Sequence, residues 1–150
     1  MINKTLIFFS ILFHLITLNL YGNEQISFDV TEIEITDGGD KIIGKNRGII
    51  NSNEEITIEA DEFEFDKKKN TLKAKGNISI IDRINGYNFS AQEIIYNINQ
   101  ERIELKGKAE ATIDNDYKFS SQNIIILRND MIIISDVGAS IVDNINQTLY

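Results

Sequence analysis

The chain has 150 residues, of which 42% are hydrophobic, enough for one folded domain with a buried core. It contains no cysteine and a single histidine, His14, so the thiolate and imidazole groups that most hydrolases and zinc sites require are missing from nearly the whole chain. The formal net charge of −8 excludes nucleic acid as an expected partner, because an acidic protein repels phosphates.

Residues 1–22 have the pattern of a secretory signal peptide. A short, positively charged start that contains Lys4 precedes a 17-residue apolar run from Thr5 to Tyr21, and the small residue Gly22 follows. We expect cleavage after Gly22 or Asn23, which removes Lys4 and leaves a net charge of −9. The alternative is an uncleaved membrane anchor, since 17 residues reach the lower limit of a membrane span. Both alternatives predict that the rest of the chain is exported.

From residue 26 onward, apolar and polar residues alternate, which indicates strands with one buried and one exposed face. A faint first unit, ISFDVTEIEITDGGDKIIGKNRGII, begins at Ile26. Three clearer units follow: ITIEADEFEFDKKKNTLKAKGNISIID from Ile56, FSAQEIIYNINQERIELKGKAEATID from Phe89, and FSSQNIIILRNDMIIISDVGASIVD from Phe119. Four units of about two strands each predict an all-β body of roughly eight strands, with repeated antiparallel strand pairs.

A glycine recurs at the same place in the second strand of the three clear units. Gly76, Gly107 and Gly138 lie 31 residues apart, and Gly76 and Gly107 fall on the apolar faces of their strands, where a glycine permits a sharp bend or a close backbone approach. In the unit that starts at residue 56, the buried parity changes between Ala60 and Phe63, which predicts a bulge or corner there. We expect polar turns at residues 67–70, 97–101 and 128–130.

The segment IEADEFEFDKKKNTLKAKGNISI at residues 58–80, followed by SAQEIIY at 90–96, resembles the OstA-like repeat of the lipopolysaccharide-transport proteins. This family includes the periplasmic bridge protein LptA, the inner-membrane protein LptC and the N-terminal periplasmic domain of LptD. The resemblance covers residues 26–150 and is most specific at 60–62 and 76–78. It implies an open, twisted β-jelly roll whose apolar interior carries the acyl chains of lipopolysaccharide, with no enzymatic step and no cofactor.

The resemblance leaves the member of the family open. The chain stops at Tyr150, in what looks like the middle of a fifth unit, which favours an LptD-like N-terminal portion over a short LptA-like bridge; an uncleaved anchor would favour LptC. The family implies a periplasmic location, with outer-membrane association for the LptD form. The implied partners are lipopolysaccharide, domains of the same fold joined end to end by strand pairing, and an outer-membrane assembly partner. We expect the docking strands near residues 26–35 and 132–142.

The predicted lipid groove consists of apolar residues on the inward faces of the repeated strands. Small residues among them indicate room for a ligand. One alternative is a structural or adhesin repeat protein with a tightly packed core. Another is a β-solenoid enzyme acting on polysaccharide, with Asp61-Glu62 or Glu54-Glu55 as its carboxylates, although adjacent residues on a strand point to opposite faces. No metal site is expected. The groove residues are Ile58, Ala60, Phe65, Leu72, Ala74, Ile78, Ile80, Phe89, Ala91, Ile103, Leu105, Ala109, Ala111 and Ile113.

Overall fold

The computed structural model describes residues 26–52, 55–114, 116–135, 137–143 and 148–149, and the predicted signal peptide lies outside them. Within this part of the chain, no helix is long and apolar enough to cross a membrane. Eleven strands are formed by the described residues: β1 (Ile26–Thr36), β2 (Lys41–Ser52), β3 (Ile56–Ala60), β4 (Glu62–Asp66), β5 (Thr71–Asp82), β6 (Tyr87–Asn97), β7 (Arg102–Ile113), β8 (Tyr117–Leu127), β9 (Ile132–Ile134), β10 (Ser140–Asp143) and β11 (Thr148–Leu149).

The strands form one antiparallel sheet in which neighbours along the chain are neighbours in space. β5, β6, β7 and β8 pair in sequence order, β1 pairs with β2, and β3 and β4 together fill the position between β2 and β5. The strand count exceeds the predicted eight because β3 and β4 are two halves of one broken strand, because β9 and β10 likewise pair with the two ends of β8, and because the short β11 is added. The prediction of an all-β fold built from antiparallel strand pairs is confirmed.

Local turn chemistry explains where the long strands end. Asn70 and Glu101 adopt left-handed backbone conformations, with φ of 48° for both, and asparagine tolerates this region better than most residues. The Asn97 side chain accepts a hydrogen bond from the backbone N–H of Gln100 and so closes the turn between β6 and β7. The turns predicted at 67–70, 97–101 and 128–130 are present.

A line of irregularities crosses the middle of the sheet, and we call it the seam. At the seam two residues of one strand lie opposite a single residue of the next, as in a β-bulge. Both residues on the two-residue side of each bulge have backbone angles in the left-handed region, with positive φ. The seam residues are Thr31 opposite Asn46 and Arg47, then Asp61 between β3 and β4, Gly76 and Asn77 opposite Gln92, and Gly107 and Lys108 opposite Gln122.

The recurring glycines serve this seam. Gly76 and Gly107 have φ of 75° and 73°, and a β-carbon at Gly76 would lie 2.5 Å from Oδ2 of Asp61. The bends predicted at these two glycines and the break between Ala60 and Phe63 are confirmed. Gly138 differs, because it lies between β9 and β10, has no positive φ and would have open space around a β-carbon.

The sheet folds over along the seam, so its two halves face each other. Asp82 and Arg128 each lie six residues from the seam, so a flat sheet would hold them roughly 40 Å apart at about 3.3 Å per residue. Arg128 Nε instead donates to Asp82 Oδ2 at 2.7 Å. Phe28 and Phe65, from opposite halves, have ring centroids 5.9 Å apart. Layer A contains residues 26–30, 48–52, 56–60, 78–82, 87–91, 109–113, 117–121 and 140–143; layer B contains 32–36, 41–45, 62–66, 71–75, 93–97, 102–106, 123–127 and 132–134.

One continuous apolar core lies between the two layers. Nearly every inward side chain in β3 to β8 is buried, and several isoleucines and leucines have at most 1% of their surface exposed. The inward parity changes at the seam in β6, from Tyr87 and Phe89 to Ile94 and Tyr96. The inward parity is unchanged in β5, because this strand has one more residue than β6 at the bulge. The bulges therefore keep both halves of each strand facing the same interior.

Candidate functional site

The structure brings the fourteen predicted groove residues together in the interior. Twelve are buried, and Ala91 and Ile113 are partly buried against the same core. Four of the alanines, Ala60, Ala74, Ala109 and Ala111, have 1% or less of their surface exposed, so small side chains do occur along the length of the interior. In this closed arrangement the interior is filled by the protein's own side chains. Binding of acyl chains by these residues stays a prediction.

Sequence reasoning missed part of the same lining. Ile94 and Tyr96 continue the inward face of β6 on the layer B side, with Ile98 buried directly after that strand, and Ile124 and Ile126 do the same in β8. The repeat itself carried the signal, since both segments occupy the place that Phe63 and Phe65 hold in the unit starting at residue 56. The lining not predicted from the sequence comprises Ile50, Ile56, Phe63, Tyr87, Ile94, Tyr96, Ile98, Ile124 and Ile126.

Opposite the seam, the free margins of the two layers meet, and we call the space between them the mouth. The margin of layer A contains the turn at 83–86 and residues 114 and 116, and the margin of layer B contains the turns at 37–40, 67–70, 98–101 and 128–131. A charged cluster joins the two margins. Asp82 and Glu55 come from layer A, and Arg128, Glu101 and Tyr96 come from layer B. We call this cluster the clasp.

Arg128 is the centre of the clasp. Its Nε donates to Asp82 Oδ2 at 2.7 Å, one Nη donates to the Tyr96 hydroxyl at 3.3 Å and to the Glu101 carboxylate, and the other lies 3.6 Å from Glu55 Oε2. Asp82 also accepts hydrogen bonds from the backbone N–H groups of residues 84 and 85 and from the side chain of residue 85. Asp82 and Arg128 are the only charged side chains that are buried among the described residues.

Burial and pairing act in opposite directions on these two groups. Burial alone would raise the pKa of the Asp82 carboxyl, but the hydrogen bonds from Arg128 and Asn85 outweigh it, and the pKa lies below its ordinary value. Burial alone would lower the pKa of the Arg128 guanidinium. The hydrogen bond to Asp82 and the neighbouring Tyr96 and Glu101 outweigh burial, and the pKa lies above its ordinary value. Both groups are therefore charged at neutral pH, and the clasp is an ion pair.

Within the described part of the chain, the roll is open at its β1 end. Ile33 pairs with Gly44 and Ile35 pairs with Ile42, so both isoleucines lie on the inward face of β1. They are nevertheless 49% and 62% exposed. No described strand covers the free edge of β1. Apolar inward-facing side chains are thus presented to solvent at this end, beside unpaired backbone groups.

The outer faces provide weaker sites. A depression of about 230 Å³ on layer B is lined largely by charged side chains such as Lys75 and Glu93, which lie 3.8 Å apart as an ion pair. Of the carboxylates considered for catalysis, Asp61 binds Arg47 and Asn77 at the seam, while Glu62 is exposed and points away. Glu54 lies outside the described residues. Within the described part of the chain, no group of three carboxylate, histidine or cysteine side chains is placed to hold a metal ion.

The architecture defines this chain as an LptA-like β-jelly roll. LptH, described as the LptA-homologous periplasmic component of the conserved lipopolysaccharide transport device of Pseudomonas aeruginosa, superimposes with a TM-score of 0.69 over 77% of this chain and 84% of its own. The two sequences are 12% identical, so the likeness is one of fold. No protein-family model matches the chain, and no curated protein matches it in sequence.

Proposed function

We propose that this protein carries lipopolysaccharide through the periplasm, holding its acyl chains between the two layers of the roll and passing them to a domain of the same fold. The observation that carries the proposal is the interior itself: an unbroken apolar lining with small residues at intervals, between two layers whose margins meet along one side. The similarity to LptH in fold supports the same reading.

The energetics of such a carrier come from apolar burial. Each CH₂ group removed from water contributes about 0.8 kcal/mol, so a few acyl chains provide ample affinity without any covalent step. With a net charge of −9 after loss of the signal peptide, the protein gains little from lipid phosphates. The affinity should therefore change little with salt, whereas binding driven by exposed phosphates would weaken as ions screen the charges over about 8–10 Å.

Transfer to a neighbour requires ends that join. We propose that the open β1 edge, with Ile33 and Ile35 exposed, and the strands near residues 132–142 dock to Lpt-type domains by strand addition. The export signal at 1–22 belongs to the same proposal, in which the chain acts either as an LptD-like N-terminal domain or as an LptA-like bridge. The first role includes an outer-membrane assembly partner.

The test uses photo-crosslinking at two consecutive residues of β6. Phe89 is 3% exposed and faces the interior, whereas Asn88 is exposed on the outer face of the same strand. A photoreactive phenylalanine analogue at each position, irradiated in cells that make lipopolysaccharide, should give a lipid adduct at residue 89 and none at residue 88. Leu105 and Lys106 on β7 provide a second matched pair.

Three outcomes would decide between the readings. Adducts at the inward positions that persist at high salt support transport in the interior. Adducts at the outward positions alone would refute the apolar groove. Absence of lipid at all four positions would leave a structural or adhesin repeat with a dry core, the alternative that the sequence also allows.

A further inference from the structure

The clasp joins the two layers at the mouth, far from the seam where the strands themselves connect the layers. The layers are connected through every long strand at the seam, but the margins at the mouth belong to different turns, and among the described residues no backbone hydrogen bond joins them. Arg128 follows β8 in layer B, and Asp82 ends β5 in layer A, 46 residues earlier. An arginine bridging both margins therefore controls how far they stand apart.

The chemistry of the clasp suits reversible separation better than permanent closure. A buried ion pair roughly balances the cost of desolvation against the Coulomb attraction, and a pair of apolar side chains would hold the margins together at least as firmly. When the margins part, water reaches both charges and restores their hydration, so the pair loses less on opening than an apolar contact does. Three carboxylates around one guanidinium also leave excess negative charge that favours exposure to water.

Opening is also what the interior requires if a lipid is to enter. Ile58, Ile80 and Ala111 have at most 1% of their surface exposed, so an acyl chain cannot reach them from the side while the margins are held together. The layers cannot separate at the seam, because the backbone of every long strand runs through it from one layer to the other. The mouth can open by loss of the clasp and of side-chain packing alone.

We propose that the Arg128 clasp is a gate: the two layers separate at the mouth when Arg128 and Asp82 part, and acyl chains enter the interior sideways through this opening. The gate rests on the proposed function, because it assigns the route of entry to the same interior. In this proposal Arg128 and Asp82 set the distance between the margins, and the lining residues hold the lipid.

The chain is well suited to a direct test, since it has no cysteine and no tryptophan. Ile84→Cys and Asn129→Cys, both exposed and next to the clasp on opposite margins, are joined by a flexible bis-maleimide. The matched control links Asn70→Cys and Asn99→Cys, which lie on the same margin and whose side chains are 2.8 Å apart. A Tyr87→Trp substitution supplies a reporter, because residue 87 is buried and pairs with Asp82 across β5 and β6.

Two measurements are made on each protein: uptake of the fluorescent fatty acid cis-parinaric acid by stopped flow, and quenching of the tryptophan by acrylamide. We expect the cross-margin link to abolish uptake and reduce quenching, and the same-margin link to change neither. Arg128→Met should increase both. If the open form is a minor state of about 10% or less, releasing the clasp should speed uptake about tenfold.

A second variant controls for loss of folding. Arg128→Met leaves Asp82 buried without its cation, so Asp82→Asn/Arg128→Met is measured beside it, and circular dichroism identifies which of the two is folded. Unchanged uptake and quenching in the cross-linked protein, or unchanged quenching after removal of Arg128, would overturn the gate. If the unlinked protein takes up no fatty acid, the proposed function fails, and the quenching comparison still decides whether the mouth opens.

Discussion

Replacing Gly76 by alanine tests the seam most directly. Gly76 has φ of 75°, and an alanine in the left-handed region costs about 1–2 kcal/mol. The new methyl group would lie 2.5 Å from Oδ2 of Asp61, so that carboxylate must move. Asp61 is held by the Asn77 side chain at 2.7 Å and by Arg47 at 3.3 Å, and losing the shorter bond costs about 1 kcal/mol. The expected loss in the free energy of unfolding is about 2–3 kcal/mol.

The assay is urea unfolding followed by far-ultraviolet circular dichroism, with Gly138→Ala as the matched control. Gly138 stands 31 residues beyond Gly107 in the sequence repeat, but has no positive φ and open space around it, so its replacement should change the free energy by less than about 0.5 kcal/mol. Gly107→Ala should resemble Gly76→Ala, because Gln92 occupies the space beside it. Equal stability of the Gly76 and Gly138 variants would refute the role given to the seam.

Asp82→Asn should cost about 3 kcal/mol at neutral pH, since it leaves Arg128 buried without its main partner. The folded-state pKa of Asp82 is lowered, so its stabilisation is complete above the unfolded value of about 4 and is lost as the pH falls through the folded value; acid titrations of both proteins should show a steeper loss in the native one, and parallel curves would contradict this. Ile134→Pro should weaken association with a neighbouring Lpt-type domain, measured by co-purification, while the protein stays β-rich. Lys118→Gln should change stability by no more than about 0.5 kcal/mol in the same urea assay, because its 2.9 Å pair with Glu110 is about half exposed to water; a loss above about 2 kcal/mol would show that such pairs matter here.

The repeat predicted the architecture because each unit is a strand pair whose backbone pairs only with neighbouring strands. The alternation of Leu72, Ala74, Ile78 and Ile80 identified an inward face, and the recurrence of a glycine identified the bends. The corresponding bend in β2 went unnoticed because Asn46 takes the left-handed position there with φ of 64°. Asparagine provides this conformation through its short polar side chain, without a glycine to mark it.

The clasp could not be predicted from the same pattern. The parity of β5 places Asp82 inward, but a lone inward carboxylate has no partner that the sequence identifies. Arg128 pairs with it only because the sheet folds over and brings strands three positions apart in the sheet into contact across the mouth. Contacts of this kind depend on the twist and closure of the whole sheet, whereas the bulges depend on a few neighbouring residues.

The nearest-neighbour order of β5 to β8 makes this protein a one-dimensional array. In such arrays stability is approximately the sum of each unit and its interface with the next, so units can be gained or lost by duplication without redesign of the rest. Here one unit adds 31 residues and two long strands, each spanning both layers, while leaving the cross-section of the interior unchanged. The length of the interior is thus set by the number of copies, and its width is set by the residues that every copy shares.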